Sequence, residues 1–432
     1  MKTDEVVATN SGNPKLFSTG ELWLICQGLI IGLITGIIVS VFRLIIETLK
    51  LLAIIYPLMA QHWLLIIPYV AVTLVIVLLL GQVIKGYTDD LLGSCAPKIE
   101  AIMHGHHSMN AMQVLWRKFV GALLAICPGL FLGREDPCIQ MGACVGQGFS
   151  QLCQVSEEDQ RLLLGCGAAA GLSAAFSAPL TGVIFLIEDI TQNFKLRYSM
   201  LALAAACTSD LVTIFFFGTR PCLYLPLTTN LPTTTYIWLV PLGMVIGLFA
   251  LAYHYCMHAM HRFYRRIPRL PLIYNSVIPL LVIPIGLWNP RILGGSHLFI
   301  GDVTGFSPVV NWGNLVKLLT IFILLRFFFS IISYSAAVPG GIFMSALTLG
   351  ALIGALLAVL LIHVHLIPVS CYLNMVVITM AAYFGASEEI PFTAITLLCE
   401  MVGTVDRAFP IAILTLVAYV TRNFIGDLPR RF

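Results

Sequence analysis

Apolar positions along this chain run in long blocks broken by short clusters of glycine, proline and charge. Leu22–Tyr56 is apolar well beyond the roughly 20 residues that a perpendicular crossing requires, and Arg43 and Glu47 stand four apart near its end. That pattern predicts one long tilted helix carrying a snorkelling pair. His62–Ile84 predicts a second span. Further blocks follow at Met200–Phe217, Tyr236–Tyr255, Leu272–Trp288, Leu318–Ser333 with a lone Arg326, Ala346–Ile362, Pro368–Phe384, Pro391–Val402 and Ile411–Val420. Several are short for a full crossing, which predicts half-helices that end inside the protein.

The interruptions carry the chemistry. Gly133-Arg134-Glu135-Asp136-Pro137 lies between the apolar run Val120–Leu132 and the small-residue run Cys138–Gly148. Charge within a span is costly and usually functional. Glycine admits a close backbone approach and proline suits a first helical turn, so the stretch reads as a broken helix restarting near Pro137. A restarting helix aims free N–H groups and the positive end of its dipole at what lies ahead. The reading adopted is an anion site with Glu135 as a titratable plug; a headgroup loop between two spans is the other. Gly93-Ser94-Cys95-Ala96-Pro97 is a second break, where Ser94 is either a turn or cap residue or a hydroxyl donor. Gly165–Ile190 is rich in small residues that allow close packing in lipid, breaks at Ser177-Ala178-Pro179, and ends in Glu188-Asp189. Those acids read as interfacial charges or as proton carriers. Pro339-Gly340-Gly341-Ile342-Phe343 is the last break.

Composition sets the class. Of 432 residues, 59% are hydrophobic and 10% charged, against roughly a quarter charged in a soluble domain. This predicts an all-α polytopic membrane protein with one membrane domain over residues 20–425, a tail at 1–19 and a short tail at 426–432. A net charge of +3 gives no reason to expect nucleic acid as a partner. Twelve cysteines without C-x-x-C spacing read as packing residues, and His104-Gly105-His106-His107 as a solvated loop, so no metal or cofactor is expected. The basic clusters Arg262/Arg265/Arg266/Arg269 and Arg430/Arg431 place a central loop and the C-terminus in the cytoplasm. Lys2, Lys15 and the lack of an apolar leader core place the N-terminus there too.

The chain also repeats. At an offset of 208, Lys118-Phe119 falls on Arg326-Phe327, Gly133 on Gly341, and Gly142-Ala143-x-Val145-Gly146 on Gly350-Ala351-x-Ile353-Gly354. Four residues further, Pro179-Leu180-Thr181 falls on Pro391-Phe392-Thr393 and Glu188 on Glu400. Two halves, about 20–218 and 233–425, share one order of breaks, the layout of transporters that bind substrate near mid-membrane.

These motifs resemble those of the CLC family of chloride channels and proton-coupled chloride exchangers. Gly93–Pro97 resembles its GSGIP segment, Gly133–Pro137 its GREGP, and Gly341-Ile342-Phe343-Met344-Ser345 its GIFAP. Ala168–Asp189 is similar to the stretch that ends in its acidic pair. The resemblance implies an inverted-repeat fold with broken helices and a homodimer with an anion path in each subunit. Chloride would be the bound ligand. Ser94 and the amides of Ile342 and Phe343 would hold it, Glu135 would be the gating carboxylate, and Asp189 would pass protons to the cytoplasm. Halide bonds without direction, so several weak dipoles suit it better than one full charge. The departures are Asp136 for glycine, expected to raise the gate's pKa or repel anions at the mouth; Cys95 and Ala96; Met344 and Ser345; and Arg431 nearest the usual tyrosine. Tyr419 comes too early in the last helix, so no tyrosine ligand is assigned. No cytoplasmic regulatory domain of the kind many relatives carry is expected after the last helix.

The expected function is transmembrane chloride transport as proton-coupled antiport, in an inner or plasma membrane. A passive voltage- or pH-gated chloride channel is the alternative, needing only Glu135. An intramembrane enzyme is a third reading, but neither H-E-x-x-H nor G-x-S-x-G occurs.

Overall fold

The computed structural model describes residues 19–47, 52–225, 231–266, 270–295, 297–308, 311–336 and 338–426. The expected N-terminal tail, Arg269, Arg430 and Arg431 lie outside them. Eighteen α-helices follow in order. The first half holds α1 (Thr19–Glu47), α2 (Leu52–Gln61), α3 (Ile66–Ile84), α4 (Thr88–Leu91), α5 (Ala96–Met103), α6 (Ala111–Ile126), α7 (Glu135–Leu152), α8 (Glu157–Phe176), α9 (Pro179–Phe185) and α10 (Leu196–Phe217). The second holds α11 (Tyr236–Arg266), α12 (Leu270–Trp288), α13 (His297–Thr304), α14 (Trp312–Ser335), α15 (Phe343–His363), α16 (Tyr372–Glu388), α17 (Pro391–Val402) and α18 (Ala408–Gly426). Among the described residues, eight helical segments are long and apolar enough to cross a membrane, as a multi-pass integral membrane protein requires.

Two sequence expectations are corrected. The block Leu22–Tyr56 is helical in α1 up to Glu47 and in α2 from Leu52, and residues 48–51 between them lie outside the described residues. Arg43 does not snorkel; it is 3% exposed and donates from Nη1 to the Ala174 carbonyl at 2.5 Å, with its guanidinium 4.2 Å over the Phe217 ring. The basic cluster after Tyr255 is not a loop either, since α11 runs on to Arg266 and sets Arg262 and Arg266 in its last turns. Cations there complement the carbonyl end of the helix dipole.

The repeat governs packing. In the first half the G-A-x-x-G helix α7 lies on the alanine-rich α8 so closely that Gly142 and Gly167 face each other backbone to backbone. In the second half α15 lies on α16 the same way, with Gly350 against Met380 and Gly354 against Thr379. Without a hydrophobic drive between helices in lipid, such close contact is what binds them. α7, α8, α15 and α16 therefore form the buried centre.

The halves are also joined by a reciprocal exchange. Glu188 accepts from the Phe392 and Thr393 amides at 2.9 and 2.6 Å and from the Thr393 hydroxyl at 2.6 Å. Glu400 accepts from the Leu180 and Thr181 amides at 3.0 and 2.8 Å and from the Thr181 hydroxyl at 2.6 Å. Each carboxylate thus caps the proline-started helix of the other half, satisfying amides that have no partner within their own helix. Glu188 is accordingly a cap rather than an interfacial charge or a proton carrier. Glu188→Ala and Glu400→Ala are each expected to cost about 1.5–3 kcal/mol, the range for a hydrogen bond to a charged group. Thermal unfolding in detergent checks this, and an unchanged midpoint in both variants would remove the caps from the account.

Candidate functional site

The breaks at Gly133 and Gly341 meet. The two glycines form an antiparallel bridge, with the Gly133 amide 2.7 Å from the Gly341 carbonyl and the Gly341 amide 3.0 Å from the Gly133 carbonyl. Immediately after them α7 starts at Glu135 and α15 at Phe343, each with its first amides free of intrahelical partners. Two positive helix ends therefore open at one place. The observed start of α7 lies two residues before the expected restart at Pro137.

The segment Gly93–Pro97 joins them through Asp136. Gly93 turns the chain at a φ of +79°, a region open to glycine, and α5 restarts at Ala96 with Pro97 in its first turn. The Cys95 amide donates to Asp136 Oδ1 at 2.8 Å. On the other side a Cβ on Gly341 would stand only 2.6 Å from the Asp136 Cβ. Asp136 is thus in contact with the first and third broken segments while belonging to the second. Ser94, half-buried, precedes the bonded Cys95, and the Phe343 ring is wedged between Phe185 and Phe384 with centroids 6.2 and 5.1 Å away.

Glu135 and Asp136 point apart. Glu135 is 0% exposed and folds back so that a Cβ on Gly133 would meet both its carboxylate and, at 3.2 Å, the Met344 amide nitrogen. Its carboxylate lies within reach of its own backbone amide and that of Met344, and Arg134 Nε stands 3.9 Å from Oε1. Asp136, expected to add charge at the mouth, faces the other way. It is 4% exposed, its Oδ2 lies 3.4 Å from Lys118 Nζ, and its charge acts on Asp189 and Glu388. Successive residues at a helical start project about 100° apart, which is why one carboxylate looks out and the next looks in.

On the Glu135 side a cavity of about 520 Å³ opens, lined by Arg43, Arg134, Arg220 and Arg291 together with Ser177 and Cys222. Arg134 and Arg43 both reach the Cys222 sulfur, at 3.8 and 3.9 Å. A cleft with this excess of guanidinium charge concentrates anions at its floor. On the other side Asp189 sits in a π-helical turn over Leu186–Thr191, half-buried, within electrostatic reach of Glu188, Glu100, Asp136, Glu389 and Glu388. π-turns often occur at functional sites.

The substituted third segment is also satisfied. Ser345 donates to the Phe131 carbonyl at 2.8 Å, and the Phe131 amide donates to Ser333 at 3.3 Å, so the hydroxyl finds a use where proline would have none. Arg431, and with it the usual tyrosine position, lies outside the described residues. Arg326 is fully buried and donates to the Ile292 and Gly294 carbonyls at 2.9 and 2.8 Å, as its repeat partner Lys118 donates to the Leu91 carbonyl at 2.9 Å. Sequence reasoning passed over Glu388, which ends α16 with a buried Oε1 lacking a hydrogen-bond partner among the described residues, and Tyr334, which lies within reach of the Asp136 and Glu388 charges. Glu388 was legible only as one of two acids before Pro391. His107 pairs with Asp90 at 2.7 Å, and no group of potential metal ligands occurs among the described residues.

A helical membrane protein with two interlocked halves, and helix starts converging on a buried carboxylate, has the architecture of a transporter. Comparison with known proteins narrows this. The family described as voltage gated chloride channel matches residues 76–423, and the chain belongs to that family, the CLC proteins. It is 29% identical over 385 residues to an H(+)/Cl(-) exchange transporter ClcA of Klebsiella pneumoniae (strain 342), covering 86% of this chain and 79% of that protein. A Vibrio cholerae serotype O1 (strain ATCC 39541) protein of the same name is 30% identical over 353 residues, covering 79% and 74%. Among solved structures, a slow cyanobacterial Cl-/H+ antiporter superposes with a TM-score of 0.85 at 24% identity, over 94% of this chain and 95% of the other. A CLC-type fluoride/proton antiporter superposes at 0.74 and 20% identity, over 94% and 98%. The fold is shared with both.

Proposed function

We propose that this protein exchanges chloride for protons across the membrane, with Glu135 as the gate. The observation that carries the reading is the Glu135 carboxylate itself. It is buried and lodged where the amides of α7 and α15 converge, its own and that of Met344 among them, at the floor of an arginine-lined cavity. An ionised carboxylate there competes with a halide for the same dipoles. Protonation removes its charge and frees the place, so proton uptake and anion entry become one event. The names of the Klebsiella and Vibrio relatives support antiport over a passive channel.

On this reading Ser94 and the Ile342 and Phe343 amides hold a dehydrated chloride, and Asp189 passes protons on the side away from the arginine cavity. Residues 20–425 act as one domain of two repeats, paired as a homodimer in the lipid bilayer. The N- and C-termini face the cytoplasm of a cell bounded by this inner or plasma membrane, which puts the Arg43–Arg134 cavity outside, one crossing of α1 away. The work is transport of chloride and protons, not bond chemistry, and no cofactor enters it.

Purified protein in proteoliposomes tests the reading. Under opposed chloride and pH gradients the reversal potential is expected to follow both ions, and a reversal that ignores pH returns the passive channel. Asp189→Asn is expected to slow proton flux while chloride flux continues. Equal loss of both would move Asp189 out of the proton route.

A further inference from the structure

One contact in the site is unaccounted for by gating. The Asp136 carboxylate occupies an amide of the first broken segment, Cys95 N–H, at 2.8 Å, and stands 3.4 Å from the buried ammonium of Lys118. Backbone N–H groups and a nearby cation are what an anion draws on when it binds without directional bonds. Here those groups are already engaged by a carboxylate that is part of the chain.

We propose that Asp136 is a tethered anion: by holding the Cys95 amide and offsetting the Lys118 charge, it lowers the affinity of the adjoining anion site and sets its selectivity. This deepens the transport reading and rests on it for the choice of anion. Three observations bear on it. Lys118 is 0% exposed and its other bond goes to the Leu91 carbonyl, so without Asp136 its charge would be buried and uncompensated. Asp136 packs on Gly341, one residue before the proposed Ile342 and Phe343 donors, so its charge stands beside the anion's place. The groups whose charges it acts on, Cys95, Lys98, Tyr334, Asp189 and Glu388, line the same inner side from α5, α14, the turn after α9, and α16. Lys98 is the cation among them, and Lys118, paired with Asp136, is a second beside them.

The arrangement separates a charge role from a purely structural one. Asp136→Asn keeps an oxygen for the Cys95 amide and removes the charge, leaving Lys118 to attract the anion. Chloride affinity, measured by calorimetric titration of the purified full chain, is expected to rise by about tenfold or more. Asp136→Gly, which also frees the amide, is expected to raise it at least as far. Asp136→Glu, keeping the charge, and the double variant Asp136→Asn with Lys118→Met, restoring neutrality, are expected to stay near the wild-type value. Unchanged or weaker binding in both Asp136→Asn and Asp136→Gly, with elution and melting as in the wild type, overturns the proposal. So does an equal gain in Asp136→Glu. Should the wild-type protein bind no chloride, the transport reading fails instead, and the same titrations with fluoride and nitrate decide the case for Asp136.

Discussion

Glu135→Gln is expected to abolish proton movement while chloride flux continues and loses its dependence on pH. The side chain sits fully buried at the start of α7, within reach of its own amide and that of Met344 and with no side-chain hydrogen bond to hold it there among the described residues. On the proposed reading the ionised form blocks the path in the wild type, and chloride flux is expected to rise as pH falls and the carboxyl takes up its proton. Glutamine resembles the protonated form at every pH. It has the size of the side chain it replaces, which keeps the packing against Gly133, but it carries no titratable proton. Flux of radioactive chloride, recorded beside proton flux in the same vesicles across a pH series, checks this. If protons still move against a chloride gradient in the Gln variant, the gate is some other group and the central assignment is lost.

The second large effect is expected at the bridge. Gly341→Ala places a methyl group 2.6 Å from the Asp136 Cβ, closer than real side chains approach, and 3.2 Å from its amide nitrogen. The backbone of Gly341 needs no left-handed conformation, so alanine is excluded by contact rather than by φ. Relief can come only by parting the starts of α7 and α15, which breaks the paired 2.7 and 3.0 Å bonds between Gly133 and Gly341. Overpacking of this kind costs about 1–3 kcal/mol. Anion transport is expected to fall by far more than stability does, because both helix starts aim their free amides at one point and lose that alignment together. Gly313→Ala on α14, where a Cβ meets nothing within 4 Å, is the matched control and is expected to transport normally. Equal activity in the two variants would show that the bridge does not position the site.

How much of this was legible beforehand follows from how each feature is encoded. Helix breaks are local: a glycine or proline within an apolar run changes the backbone wherever it occurs, so Gly133, Pro137, Pro179, Gly341 and Pro391 marked the ends of α7, α9, α15 and α17 within a few residues. The repeat was legible because duplicated halves keep their small residues in order, and the packing of α7 on α8 and of α15 on α16 is that repeat in three dimensions. Side-chain direction was not legible. Glu188 read as an interfacial charge because its partners, Phe392 and Thr393, lie about two hundred positions away. Arg43 read as snorkelling for the same reason, its acceptor being the carbonyl of Ala174.

The sequence by itself determined the class, the breaks, the repeated order and the chemical types brought to each break, since hydrophobicity and backbone preference act over a few neighbouring residues. Only the tertiary structure decided that the Gly133 and Gly341 breaks pair with each other and that Glu135 and Asp136, adjacent in the chain, serve opposite sides. Only there do the halves cap one another's helices through Glu188 and Glu400. Those facts depend on which orphaned amide finds which distant carboxylate once the helices have packed, and no local pattern of residues contains that pairing.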